Sequence, residues 1–288
     1  MKYSGGIKSN HNLFYKIIYT TVYLREKMTD ELSKSANAAE IPLTQKQLDR
    51  IARIRAQRQQ QKKETPTTSE LFRENFTKCV RGYHLINNDP IKETPWEDIN
   101  AIIMTASGLN VVSQSNGSHK SGGDISCSMG SFSNKSTQYD SVDNNSFKIS
   151  SYRLTTVCSD KSPGAIEDII AEINKRKNFT YYSIIVRQDN NTEILYDWYL
   201  IPSDFPALDP ASYQWHPKLG KTEKNKDTIV GWETNVINGS KMSITFSMSS
   251  QLWLDVSVSE EMRQFVVGSC RISRGRKYNY IQLYEQSL

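Results

Sequence analysis

The residues best suited to chemistry lie in two short stretches. One is Ser118-His119-Lys120-Ser121-Gly122-Gly123-Asp124-Ile125, where an acid follows two glycines at the mouth of an expected strand. The other is Ser146-Phe147-Lys148, in which strand alternation sends Ser146 and Lys148 to one face. If these strands pair, the Asp124 carboxylate can hold a divalent metal while the Lys148 ammonium approaches the same point. Mg2+ held by one or two carboxylates, waters and a phosphate oxygen activates water and neutralises the charge that develops in phosphodiester hydrolysis. A lysine beside it orients the nucleophile or stabilises that charge. Each residue also has an ordinary reading: an acid after two glycines suits a turn, and a lysine suits the solvent face of a strand.

Other chemistries find little support. There is no Walker loop, dinucleotide fingerprint, H-E-x-x-H or G-x-S-x-G pattern. The four histidines are scattered, and only His119 has a candidate acid close by. Cys79, Cys127, Cys158 and Cys270 form no C-x-x-C pair, which argues against structural zinc and for reduced thiols in a cytosol-like, cytoplasmic compartment. No stretch approaches the ~20 apolar residues of a membrane span, so no membrane partner is expected. Residues 13–24 are apolar after basic residues, but no small-residue cleavage site follows.

The elements that must position Asp124 and Lys148 can be read from pattern. Ser69–Val80 has Leu71, Phe72, Phe76 and Val80 at helical spacing. Thr94-Pro95-Trp96-Glu97 reads as a helix start, with Thr94 as N-cap, and Gly108 as its stop. Strands are expected at 109–113, 124–129 and 146–149, with 134–145 as a polar turn. Ser162 and Pro163 begin a helix whose stripe is Ile166, Ile169, Ile170 and Ile173, and 180–187 is the most β-rich run. Beyond it lie expected strands at 194–201, 229–235, 242–248, 252–256 and 278–284, with a proline-broken loop at 202–217. Trp253 is expected in sheet packing.

The order helix, three strands, helix, strand over residues 94–188 resembles the PD-(D/E)XK nuclease superfamily. Within it the chain looks like type II restriction endonucleases, of the algal (chlorella) virus type that cuts short GC-centred sites. Pattern and charge predict one α+β domain with a β-rich second half and an N-terminal basic arm, and the resemblance implies within it a restriction-endonuclease-like core, a mixed central sheet flanked by helices. It also implies Mg2+ as cofactor, double-stranded DNA as partner and action as a homodimer. The family's first acid falls on Asp124, its lysine on Lys148, and the acid from the preceding helix on Glu97. The chain departs from the pattern at Gly123, where the family has proline, and at Ser146, where it has an acid. Relatives with S-x-K take a glutamate from the following helix, here Glu167 or Glu172.

Charge fits the same expectation. The 288 residues carry +5, and residues 41–66 alone hold seven bases against two acids. That region has few helix breakers and reads as a basic arm in a leader segment, 1–65, before a domain at 66–288 with its core at 94–188 and a recognition part at 189–288. A basic helix is either a solvated face or an arm along a polyanion. Arg271, Arg274, Arg276 and Lys277, together with Lys120 and His119, are candidate contacts to nucleic-acid phosphates. A rival from another class is a non-enzymatic nucleic-acid-binding or viral structural protein, which would bind DNA without Mg2+-dependent scission.

Overall fold

A computed structural model describes residues 68–114, 123–140, 143, 145–158, 164–247 and 250–288. The leader and basic arm, His119, Lys120, Ser162 and Pro163 lie outside the described residues. The fold is mixed α+β, with two sheets and few helices.

The first helix, α1 (Thr68–His84), places Phe72, Phe76 and Val80 on one buried face. The second, α2 (Glu93–Ala106), starts at Glu93 rather than after Thr94. Pro95 is tolerated in its first turn, where backbone N–H groups have no intrahelical acceptor. Trp96, Asn100 and Ile103 recur at helical spacing and are buried.

These helices cover one face of a six-stranded sheet ordered β1-β2-β3-β5-β6-β11. Its strands are β1 (Val111–Gln114), β2 (Ile125–Cys127), β3 (Gly130–Gln138), β5 (Tyr181–Asp189), β6 (Glu193–Pro202) and β11 (Val266–Ser273). β3 and β5 are parallel and the other neighbours antiparallel. Phe72, Phe76, Trp96 and Trp198 pack together with ring centroids 5.4–6.1 Å apart. Gly268 on β11 admits this packing, since a Cβ there would stand 2.7 Å from Phe76 Cδ1.

A second, antiparallel sheet is ordered β4-β10-β9-β8-β7. It comprises β4 (Ser146–Arg153), β7 (Trp215–Leu219), β8 (Ile229–Thr234), β9 (Lys241–Thr245) and β10 (Gln251–Ser257). Phe147, Ile149, Met242, Ile244, Leu252 and Leu254 meet Tyr182, Ile184 and Val186 of β5 in the other core, together with Ile169 and Ile173 of α3 (Ile166–Arg176). The central strand β5 therefore feeds alternate side chains to both cores. Two helices remain, α4 (Glu260–Arg263) and α5 (Tyr280–Ser287).

Several expectations are corrected. Residues 278–284 are not a strand, because an Asn279/Gln282 capping box starts α5 there. Pro217 does not prevent β7, which lies at the sheet edge and can spare the missing N–H. β11 was not anticipated, and the run 134–145 is strand as far as Gln138. Trp253 points outward rather than into packing, at 37% exposure.

Candidate active site

β2 begins at Ile125, opposite Phe132, so past Phe132 β3 has no β2 partner on that side until Thr137 and Tyr139 meet β4. Asp124 fills the gap. Its N–H donates to Phe132 O at 2.7 Å, and its Oδ2 accepts from the Asn134 N–H at 2.6 Å. The residue before it must be small: a Cβ on Gly123 would stand 2.9–3.0 Å from Ser131 Cβ and from the backbone N and O of Phe132. The departure from the family's proline thus coincides with a tight approach to β3.

Lys135, on the exposed edge of β3, sends its Nζ to Glu93 Oε1 at 2.5 Å. Its side chain is only 16% exposed, while Glu93 is about half exposed, so the pair sits at the border of the solvent. Glu93 and Glu97 lie one turn apart on α2 and so share a face. The electrostatics tie the four groups together. Burial raises the Glu97 pKa to about 7, with the negative charges of Asp124 and Glu93 adding to it. Asp124 is also raised, chiefly by burial, although Lys135 and the Asn134 N–H pull the other way. Burial would depress Lys135, but Glu93 and then Asp124 outweigh it and leave its pKa raised.

A buried amide network locks α2 to the two parallel strands. Asn100 Nδ2 donates to Asn134 Oδ1 at 2.5 Å and to Ser183 Oγ at 2.8 Å, and the Trp96 indole donates to Ser183 O at 3.0 Å. Asn100 Oδ1 and Asn134 Nδ2 have no partner, a cost that an apolar pair would avoid. In return the network fixes the strand position next to Asp124 and the helix face that carries Glu97.

The residues singled out from sequence therefore divide. Asp124 and Glu97 come together, but Lys148 and Ser146 do not join them. β2 pairs with β1 and β3, whereas β4 belongs to the other sheet, where Ser146 faces Ser257. Lys148 Nζ lies 3.0 Å from Asp255 Oδ1 and 5.5 Å from the centre of the Trp253 ring. Glu167 is exposed in the first turn of α3, and Ile169 and Ile173 of that helix pack into the core on the other side of the six-stranded sheet. Glu172 is held by Arg176. Arg271 pairs with Glu193 at 3.4 Å, and Arg274 is bound to Asp189 and to Asn190 O, leaving Arg276 and Lys277 exposed before α5.

Glu93 and Lys135 were missed, although the signal was present: Ser133-Asn134-Lys135 is itself S-x-K, closer to Asp124 than the tripeptide on β4. Among the described residues, no group of three or more His, Cys, Asp and Glu side chains forms a ready metal-ligand set. The donors present are hard carboxylate oxygens, which suit Mg2+ because that ion takes one or two of them and fills its remaining positions with water and phosphate oxygen. Their mutual repulsion fits a cation as well: Glu93, Glu97 and Asp124 face a single ammonium. No helix of the described residues is long and apolar enough to cross a membrane. The chain matches no protein-family model, no curated protein and no solved structure.

Proposed function

We propose that the chain is a Mg2+-dependent endonuclease acting on double-stranded DNA, with Glu97, Asp124 and Lys135 as its catalytic group. The observation that carries this reading is the charge imbalance at the free edge of β3. Glu93, Glu97 and Asp124 gather beside the single ammonium of Lys135, burial first and the neighbouring carboxylates second raise Glu97 to about 7, and this excess of carboxylate over ammonium suits a cation.

Asp124 and Glu97 would hold the ion. When bound, Mg2+ supplies charge neutralisation at a phosphate and a water of lowered pKa. Lys135, kept charged and aimed by Glu93, meets the negative charge that accumulates on the phosphate oxygens. The S-x-K pattern of the PD-(D/E)XK resemblance then falls on Ser133–Lys135, and the acid from the preceding helix on Glu97.

Cleavage of both strands at a short site needs two such centres, which favours a homodimer with one per strand. The four free cysteines favour a reducing, cytoplasmic setting. The test is incubation of the purified chain with supercoiled plasmid and Mg2+, with EDTA as control. Discrete fragments that EDTA abolishes are expected. Salt-dependent DNA binding with no strand scission would instead favour a non-enzymatic nucleic-acid-binding protein.

A further inference from the structure

The five-stranded sheet buries one face in the core with α3 and turns the other outward. Cross-strand register sets the outer face in rows. Arg153 lies opposite Gln251 on β10, and Lys218 lies opposite Gly231 and reaches Thr245 Oγ1 at 3.1 Å, so one row spans the sheet from β4 to β7. In the neighbouring rows Trp253 faces Ser150 and Ser243, and Lys241 faces Asp255.

The charges on this face do not cancel. Lys148, Arg153, Lys218 and Lys241 outnumber Asp255, which Lys148 neutralises, and Glu233, which stands 3.7 Å from His216, by two. Arg153, Lys218 and Lys241 have no ion-pair partner among the described residues, and Arg153 and Lys241 are exposed. Between them lie hydroxyl groups and the exposed Trp253 indole. Lysine, arginine and hydroxyl side chains are the groups that contact nucleic-acid phosphates. Five strands at a spacing of roughly 4.8 Å give a face about 19 Å across, close to the combined width of one major and one minor groove, about 12 and 6 Å.

The face also adjoins the candidate active site. Tyr139, just past β3, bridges Phe147 of β4, and Thr137 Oγ1 donates to Lys148 O at 2.6 Å, two residues along β3 from Lys135. A backbone that crosses the outer face and passes β4 arrives at the free edge of β3.

We propose that this outer face is a docking platform for double-helical DNA, with Arg153, Lys218 and Lys241 on phosphates and Trp253 against the groove wall between them. The assignment of DNA as ligand rests on the nuclease reading, but the two can fail separately. The experiment measures binding of a short duplex by the full chain in EDTA, as a function of salt. Arg153→Glu with Lys241→Glu is expected to weaken binding at least tenfold and to reduce the log–log salt slope by about 2. Arg73→Glu with Lys78→Glu on α1, an equal change in net charge, is expected to leave affinity within about threefold. Equal losses in both pairs, wild-type affinity in the first pair, or tighter binding of a single strand than of the duplex would each overturn the platform. Plasmid scission by the wild type, run in parallel, reports on the nuclease reading independently. Scission with unchanged affinity in the Arg153/Lys241 variant removes the platform alone, and platform-dependent binding without scission removes the nuclease alone.

Discussion

Lys135 and Lys148 each stand two residues after a serine on a β-strand, and there the likeness ends. Lys135 is largely buried, bound to Glu93, and within electrostatic reach of Asp124. Lys148 lies in the open on the other sheet, with one acid and the face of an indole for company. The difference comes from the strands. β3 sits at the centre of a mixed sheet and loses its neighbour β2 where Asp124 begins, so a side chain there meets the acids of α2. β4 is the first strand of an antiparallel sheet with a solvated face, and alternation sends its lysine into water. Tripeptide chemistry is therefore shared, and only the surrounding acids make one copy a candidate catalyst.

The largest expected effect comes from removing the Asp124 carboxylate. Asp124→Asn should lower Mg2+-dependent plasmid scission by on the order of 10³, since the metal contributes several kcal/mol to charge stabilisation, while duplex binding in EDTA persists. Loss of binding and scission together, with an unchanged melting curve, would place Asp124 on a binding surface instead.

Next is Gly123→Ala. The added Cβ meets the β3 backbone at 3.0 Å, so Asp124 must shift. Displacement by about 1 Å costs up to ~10²-fold in rate; a single-turnover assay should show a fall of ten- to a hundredfold, and an unchanged rate would show that Asp124 needs no such placement.

Glu97 sharpens the comparison through pH. Its folded pKa of about 7 lies above its ordinary value of 4.5, so between these values the folded state binds more protons than the unfolded one. Stability contributed by this group is present below pH 4.5 and is lost as pH rises through 7. Mg2+ binds the ionised carboxylates, so the rise in melting temperature it produces should be larger at pH 8 than at pH 5.5 and should shrink in Glu97→Gln. A rise independent of pH would remove Glu97 from the ion's shell.

The smallest effect belongs to the other lysine. The Lys148–Asp255 pair is exposed, and Asp255→Asn should change stability by less than about 1 kcal/mol in a denaturant melt. A larger loss would mean that the pair organises the second sheet.

The legibility of the sequence follows the same division. α1, α3, β5 and β10 carry clear periodicity and lie close to where pattern puts them, because burial alone chose their residues. β3 is the exception. Asn134 serves a buried amide network and Lys135 an ion pair, so the strand reads as a polar turn, and the S-x-K of the more apolar β4 stands out instead. Asp124 was singled out by the two glycines before it, and Glu97 by the place the family resemblance gives an acid of the preceding helix. Glu93 was not, since an acid in a first helical turn needs no functional reason. α5 was misread because Tyr278, Tyr280, Ile281 and Tyr284 look like strand, while its capping box depends on Asn279 and Gln282.

The most direct test is a side-by-side plasmid scission assay of Lys135→Ala and Lys148→Ala in Mg2+. Lys135→Ala should be inactive, and Lys148→Ala should cut within about threefold of the wild-type rate. Wild-type scission by Lys135→Ala, or its loss in Lys148→Ala alone, would contradict the placement of the catalytic group at the free edge of β3.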